Sequence, residues 1–422
     1  MRTIYLIILT LLLLPAVCPA GDQQPYPFDD PYQATVFGTP AKMRYVFENP
    51  VRPEVRAIRI EGRRVPEVFS YSRDMFFTTA LQDGPAPLIF VIAGTGAEHN
   101  SAKMVFLTRL FHEAGFHVAA LSSPTHMNFV VSASGHGVPG FVPFDVADLD
   151  RVMGWIREEL AEECAITGYS LAGYSLGGLH AAFLAEMDER TNEFGFDRVV
   201  MINPPVSLIR SVNRLDSWLT GENLNRVTVH QQIQDYLDQF SDYYLNADVT
   251  DLDDDFLFRM ITDIGLDQRD LKTLIGAAFR ISSASMIFTS DVCLRAEYLV
   301  PPDHYPLKVG DPLLPYARQA FNVSFGHYLD EYLLPFLRYL DPATTREEVI
   351  RLSGLEAIRS YLEGADKVRV VGSRDDVILD ESDVRFLTEV FGDRAQLFEH
   401  GGHCGNLMHP DFVLALKGMV QP

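Results

Sequence analysis

One serine lies in surroundings that can turn its hydroxyl into a nucleophile. It stands in the segment Gly173-Tyr174-Ser175-Leu176-Gly177, between an apolar run and the helix-forming residues 179–185. This pattern predicts a sharp turn from a strand into a helix, and small residues at its ends let the two elements approach closely. The turn would expose the Ser175 hydroxyl beside the free N–H groups of a helix N-terminus, which can stabilise an oxyanion. We call residues 173–177 the serine elbow, and the chemistry it predicts is attack on a carbonyl.

Such a serine needs a base, and the base needs a partner that fixes its tautomer. His403 follows the last predicted strand, in the sequence Gly401-Gly402-His403-Cys404-Gly405, here called the histidine loop. Asp375 and Asp376 follow the preceding strand, in residues 372–378, here called the acid loop. Because these loops follow the carboxyl ends of predicted parallel strands, their side chains are expected at one edge of the sheet.

In this order the three segments resemble those of the α/β-hydrolase superfamily, over about residues 86–205 and 366–420. The resemblance implies that Ser175 is the nucleophile, His403 the base and Asp375 the acid that orients His403. Asp375 fits the pattern Gly-x-x-Asp-x-apolar of that superfamily better than Asp376, which remains the alternative.

The resemblance also implies an oxyanion hole made of two backbone N–H groups. Leu176, after the nucleophile, supplies one, and Thr95, in the loop after the first buried strand, supplies the other. Gly96 is the alternative in that loop. The family commonly has His-Gly at this place, where this chain has Ala93-Gly94.

Ser170 lies in a second Gly-Tyr-Ser-Leu unit, residues 168–171. The position two residues after it is Ala172, no pair of glycines follows, and too short an apolar run precedes it. We therefore predict that Ser170 lies inside the strand that leads to the serine elbow.

The elements needed to position these residues are visible in the hydrophobic pattern. Continuous apolar runs at 87–93, 117–121 and 198–202 alternate with helical periodicity at 101–111 and 145–160. This alternation predicts an α/β fold with a mostly parallel, doubly wound sheet. The first part of the core spans residues 55–205 and begins with antiparallel edge strands at 55–60 and 65–77. The second part spans 366–422.

Residues 206–365 interrupt the alternation and predict a helical cap inserted into the core. Residues 229–244 have one amphipathic face, and Thr345 with Glu348 forms a capping box. The acidic residues 248–255 lack the glycine and glutamate of a calcium loop and are interpreted as solvated. Six aromatic residues recur at steps of three and four, which favours a core stripe over a pocket roof: Phe321, Phe325, Tyr328, Tyr332, Phe336 and Tyr339.

The first 54 residues are predicted to lie outside the core. Residues 1–20 have a basic start, an apolar run and small residues before Ala20, which predicts an export signal cleaved after Ala20. The apolar run is too short for a permanent membrane span. Lipid attachment at Cys18 is the less favoured alternative, because residues 15–17 match a lipobox poorly. Residues 21–54 are interpreted as an extended arm.

Composition narrows the range of functions. The 422 residues are 47% hydrophobic and carry a formal net charge of −22, which argues against nucleic acid and anionic membranes as partners. After cleavage of the signal Cys164, Cys293 and Cys404 remain; their spacing fits neither a disulfide framework nor a metal site.

The resulting hypothesis is an exported, periplasmic or secreted serine hydrolase. It cleaves a small-molecule carboxylic ester with an apolar acyl part and needs no metal or organic cofactor. Acyl transfer and thioester or amide cleavage remain alternatives with the same residues. A binding protein that has kept the scaffold is the alternative from another class.

Overall fold

An eight-stranded sheet organises the chain in the computed structural model, which describes residues 25–219, 231, 235 and 263–421. In chain order the strands are β1 Glu54–Ile58, β2 Met75–Ala80, β3 Ala86–Ile92, β4 His117–Leu121, β5 Ile166–Tyr174, β6 Arg198–Ile202, β7 Val368–Ser373 and β8 Ala395–Phe398. Their spatial order is β1-β2-β4-β3-β5-β6-β7-β8. β3 to β8 run parallel, and β1 and β2 form the antiparallel edge. The predicted fold class is confirmed.

Helices cover both faces of the sheet, as expected when parallel strands are joined by right-handed crossovers. In chain order the helices up to β6 are α1 Pro31–Phe37, α2 Ala102–Glu113, α3 Met127–Ser132, α4 Val142–Ala161 and α5 Leu176–Thr191. Between β6 and β7 lie α6 Leu208–Ser217, α7 Gln268–Leu294, α8 Leu314–Ala320, α9 Phe325–Tyr328, α10 Leu334–Leu340, α11 Arg346–Leu352 and α12 Arg359–Gly364. The last two are α13 Glu381–Phe391 and α14 Pro410–Val420. One apolar core contains side chains of α4, α5 and α13, and a second contains those of α2 and α14.

The first edge differs in part from the predicted strand over residues 65–77. Residues Glu67–Ser72 form a 3₁₀ turn, and only Met75–Ala80 pairs as a strand. Pro66 precedes the turn, and Val68 and Phe69 are buried in a small apolar cluster with Val292 and Val300. β-branched and aromatic residues are typical of strands. In this segment, however, burial of Val68 and Phe69 against Val292 of α7 and against Val300 favours the 3₁₀ turn over a strand.

α7 is the central helix of the insertion between β6 and β7. It is the single described helix long and apolar enough to cross a membrane, but more than half of its most apolar stretch is buried within the protein. In its middle, the guanidinium of Arg280 is buried and paired with Asp216 of α6. Asp216 also accepts the Phe325 N–H at 2.8 Å. These contacts identify α7 as a buried helix at the centre of this insertion.

The aromatic stripe lies in the core, as predicted. Phe325, Tyr328 and Tyr332 are buried, and the Tyr328 and Tyr332 rings stack with centroids 5.3 Å apart. The Tyr328 hydroxyl donates to Pro139 O at 2.8 Å, which satisfies its polar end. Tyr339, at the end of the stripe, is 85% exposed.

Other predictions for the insertion have mixed outcomes. Thr345 caps α11 by accepting the Glu348 N–H at 3.1 Å. The amphipathic segment 229–244, apart from helical residues 231 and 235, and the acidic residues 248–255 lie outside the described residues.

The interpretation of residues 21–54 as an extended arm is wrong for its central part. Residues 31–37 form α1, whose N-cap is Asp30, and Ala41–Met43 form a 3₁₀ turn. A helix of seven residues is too short to be stable alone. Contacts with the rest of the protein must hold it, and these contacts involve the histidine loop.

Candidate active site

The serine elbow has a strained backbone at its centre. Ser175 joins β5 to α5 with φ 53° and ψ −125°, a conformation that is costly for a residue with a side chain. Its N–H donates to Ile202 O at 2.8 Å, which holds the turn to β6. A Cβ on Gly173 would stand 2.1 Å from Gly177 O, and one on Gly177 would stand 2.2 Å from Ile92 O. Only glycine fits at these two positions, as the sequence pattern predicts.

A continuous chain of hydrogen bonds leads away from the serine. Ser175 Oγ lies 2.8 Å from His403 Nε2, and His403 Nδ1 lies 2.9 and 3.0 Å from the two carboxylate oxygens of Asp376. The Asp376 side chain is completely buried, whereas that of His403 is 19% exposed. With the Nδ1 proton directed to Asp376, Nε2 is left to accept the Ser175 proton.

The expectation that Asp375 orients His403 disagrees with this geometry. The Asp375 carboxylate instead accepts the N–H groups of Gly402 at 2.9 Å and Gly401 at 3.2 Å. Burial raises the pKa of Asp375, and these two hydrogen bonds oppose the rise. Asp375 therefore braces the histidine loop, and the alternative, Asp376, contacts the imidazole.

Asp376 lies in a hydrogen-bonded turn of the acid loop. Asp376 N–H donates to Ser373 O at 3.3 Å, and Asp376 O accepts the Leu379 N–H at 3.0 Å. The Asp376 carboxylate also accepts the Ile378 N–H at 3.1 Å. These local hydrogen bonds shape the turn, and the contacts with His403 and Asn203 distinguish Asp376 from Asp375.

Asn203 belongs to the same network and was not singled out from the sequence. Its Nδ2 donates to Asp376 Oδ2 at 2.9 Å, and its backbone has φ 46° just after β6. Asparagine tolerates this left-handed conformation better than most residues. One feature of the sequence could have identified Asn203. It is a polar residue, followed by two prolines, at the carboxyl end of a strand beside β5.

The loop after β3 lies beside the serine elbow. Thr95 and Leu176 both line the cavity that Ser175 faces. Gly96, the alternative to Thr95, already donates its N–H to Thr125 Oγ1 at 2.8 Å. Leu176 is the first residue of α5, where N–H groups have no acceptor within the helix. Of the two candidates in the loop after β3, Thr95 therefore fits an oxyanion hole with Leu176 better than Gly96 does.

Ser170, the other serine of the repeated unit, lies within β5 and is 3% exposed. It pairs in register with Arg198 of β6 and Ile89 of β3. It is a buried strand residue, as predicted.

A cavity of about 330 Å³ opens over Ser175 and His403. Its wall on the cap side is mainly apolar and comes from α6 and α7: Leu208, Ser211, Val212, Leu215, Ile275, Ala278, Phe279 and Ser282. The six residues of the aromatic stripe are not among those lining it. Residues of α6 and α7, and not the aromatic stripe, therefore line this side of the cavity.

The three described cysteines are free thiols. Cys404 follows His403, lines the cavity and is buried. Burial raises the pKa of its thiol to about 12. A thiol with so high a pKa is protonated near neutral pH and is a poor nucleophile.

Comparisons with known proteins agree with this architecture. The model of the family described as "Alpha/beta hydrolase family" matches residues 89–416, well over half of the chain. A search of curated proteins finds no match. The chain belongs to the α/β-hydrolase family.

Several solved structures are similar to the chain at low identity. A thioesterase domain from the curacin biosynthetic pathway is 12% identical with a TM-score of 0.40, and the match covers 87% of this chain and 99% of that one. The esterase Pf2001 of Pyrococcus furiosus is 10% identical with a TM-score of 0.42, covering 87% and 91%. A proline iminopeptidase of Mycobacterium smegmatis is 14% identical with a TM-score of 0.41, covering 86% and 97%.

Proposed function

We propose that this α/β hydrolase is a serine hydrolase that cleaves carboxylic esters, with Ser175 as nucleophile, His403 as base and Asp376 as the acid. The observation that carries the proposal is the uninterrupted chain of hydrogen bonds from Ser175 Oγ through the imidazole to the buried Asp376 carboxylate. Each residue has the partner that its role requires.

In the proposed reaction His403 Nε2 takes the Ser175 proton while Oγ forms a bond to the ester carbonyl carbon. The N–H groups of Leu176 and Thr95 stabilise the negative charge on the carbonyl oxygen. The tetrahedral intermediate collapses, and His403 gives its proton to the departing alcohol. Water, deprotonated by His403, then attacks the acyl-enzyme, and the carboxylic acid leaves as Ser175 regains its proton.

The cavity supports an apolar acyl group as the part of the substrate that the protein recognises. Leucine, valine, isoleucine and phenylalanine residues of α6 and α7 line the same cavity as Ser175. Burial of each methylene of an acyl chain there would contribute about 0.8 kcal/mol. We also propose that the protein is exported, supported by the sequence of residues 1–20.

A panel of p-nitrophenyl esters with acyl chains from acetyl to dodecanoyl tests the proposal. We expect kcat/KM to rise with chain length until the cavity is filled and then to level off or fall. Ser175→Ala should abolish turnover of every ester. Ester hydrolysis by folded Ser175→Ala at the wild-type rate would contradict the proposed nucleophile.

The same assay distinguishes hydrolysis from acyl transfer. If added alcohols or amines divert the product from free acid to a new ester or amide at low concentration, acyl transfer replaces hydrolysis as the activity. Parallel thioester and anilide substrates identify the leaving group that the site prefers. A wild-type protein inactive on all of them would favour the binding-protein alternative.

A further inference from the structure

The short N-terminal helix α1 lies directly against the histidine loop. A Cβ on Gly402 would stand 2.3 Å from Pro31 O, and a Cβ on Gly405 would stand 2.1 Å from Ala34 O. The backbone of α1 can approach this closely only because both loop positions are glycine. The glycines around His403 thus make room for α1.

Two hydroxyl groups at this contact bind the backbone on either side of the His403 side chain. Thr35 Oγ1 accepts the His403 N–H at 2.9 Å, and the Thr35 hydroxyl donates to Pro31 O at 2.6 Å. Thr39 donates to Gly405 O at 2.9 Å. Because the Thr35 proton is directed to Pro31, the oxygen lone pairs remain for the His403 N–H.

The opposite side of α1 contacts the cap helix α7. Gln268 Nε2 donates to Asp30 Oδ2 at 2.9 Å, and the Lys272 ammonium lies 4.7 Å from the centre of the Tyr32 ring. Leu271 is buried against Tyr32, Val36 and Phe37. The following turns of α7 supply Ile275, Ala278 and Ser282 to the cavity wall. α1 therefore bridges the cavity wall and the histidine loop.

We propose that Thr35 is a positioning residue for His403. Thr35 acts through its hydrogen bond with the His403 backbone N–H rather than on the substrate. This inference rests on the proposed function, because it assigns to Thr35 the task of holding a catalytic base. The imidazole must stay within hydrogen-bond distance of Ser175 and Asp376 together, and small displacements of reacting groups are costly to turnover. Asp375 holds the two residues before His403, and Thr35 holds His403 itself.

Thr35→Val tests this role because it keeps the shape of the side chain and removes the hydroxyl. We expect kcat on the best p-nitrophenyl ester to fall roughly tenfold with KM within about twofold of wild type. Thr35→Ser keeps the hydroxyl and should restore kcat to within about threefold. Thr388→Val is the matched control, since the hydroxyl of Thr388, an exposed residue of α13, also donates to the carbonyl four residues earlier, at 2.8 Å. It should leave kcat unchanged.

Several outcomes would overturn the proposal. A kcat of Thr35→Val within twofold of wild type, or a Thr35→Ser variant as slow as Thr35→Val, would show that the hydroxyl does not position His403. A change mainly in KM would assign Thr35 to substrate binding instead. If Thr35→Val does not fold, Thr35→Ala replaces it. Thr35→Ala also removes the hydroxyl but places no methyl group against the loop, and it should show the same fall in kcat.

Failure of this inference is distinguishable from failure of the proposed function. If wild-type protein hydrolyses esters and loses activity in Ser175→Ala, but Thr35→Val is as fast as wild type, only the role of Thr35 is wrong. If wild-type protein hydrolyses no ester, the proposed function itself fails, and with it the role of Thr35.

Discussion

The serine elbow and the acid loop hold the two ends of one chain of hydrogen bonds by different means. At the elbow, the backbone alone directs the side chain: Ser175 has φ 53° between glycines that admit no Cβ. At the acid loop, two adjacent aspartates compete, and the surroundings decide between them. The Asp376 carboxylate forms hydrogen bonds with His403 and Asn203, whereas the Asp375 carboxylate accepts the N–H groups of Gly401 and Gly402.

Neighbouring residues in the sequence therefore specify the position of the serine, whereas tertiary contacts specify which aspartate is the acid. A strained turn with required glycines leaves a pattern in five consecutive residues, and the pattern identifies the serine. The choice of acid depends on residues far apart in sequence, since Asn203 follows β6 and the two glycines belong to the histidine loop. Substitutions in the two regions should therefore have different effects.

The largest expected effect separates the two aspartates. Asp376→Asn should lower kcat on the order of 10⁴-fold, because an amide at this place favours the wrong imidazole tautomer. Asp375→Asn is the matched control and should lose less than about tenfold, since Asp375 does not contact the imidazole. Steady-state kinetics on one ester measures both. Equal losses in the two variants would contradict the assignment of Asp376.

A second comparison concerns glycines of the two regions. Gly173→Ala should destabilise the protein by about 3 kcal/mol or more, because its Cβ would stand 2.1 Å from Gly177 O. Gly372→Ala, where the acid loop begins, should cost less than about 1 kcal/mol, since its nearest neighbour would be Asn203 Nδ2 at 3.4 Å. Urea unfolding followed by circular dichroism measures both. A Gly173→Ala variant as stable as Gly372→Ala would show that the elbow has room to relax.

A smaller effect is expected for Asn203. Asn203→Gly accommodates φ 46° and removes the hydrogen bond to Asp376, so kcat/KM should fall roughly tenfold, as for loss of a hydrogen bond to a charged group. Asn192→Gly is the control, because Asn192 has φ 50° at the exposed end of α5. It should leave kcat/KM unchanged. Equal kinetics for the two variants would remove Asn203 from the site.

The smallest effect concerns the pH dependence of stability. Burial raises the pKa of Asp375 in the folded protein above 3.8, so its contribution to stability is complete below that pH and is lost as pH rises through the folded pKa. Asp375→Asn removes this dependence. The free energy of unfolding of the variant relative to wild type should therefore increase from pH 4 to pH 7. A decrease over the same range would show that the folded pKa is lowered.

The sequence alone was sufficient for the parallel part of the sheet, the serine elbow and the histidine loop, because each depends on periodicity or on neighbouring residues. The strand at β5, the glycines beside Ser175 and the Asp380 cap of α13 are specified locally. Contacts distant in sequence specify the rest. Helix α1 is stable only against α7 and the histidine loop, and Glu67–Ser72 forms a turn because Phe69 packs near Phe288 of α7.

The mass of the intact protein after incubation with a fluorophosphonate tests the assignment of Ser175 as nucleophile most directly. We expect one covalent adduct on wild type and on Ser170→Ala, and none on Ser175→Ala, because His403 contacts the hydroxyl of Ser175. An adduct on folded Ser175→Ala, or none on folded wild type, would contradict this assignment.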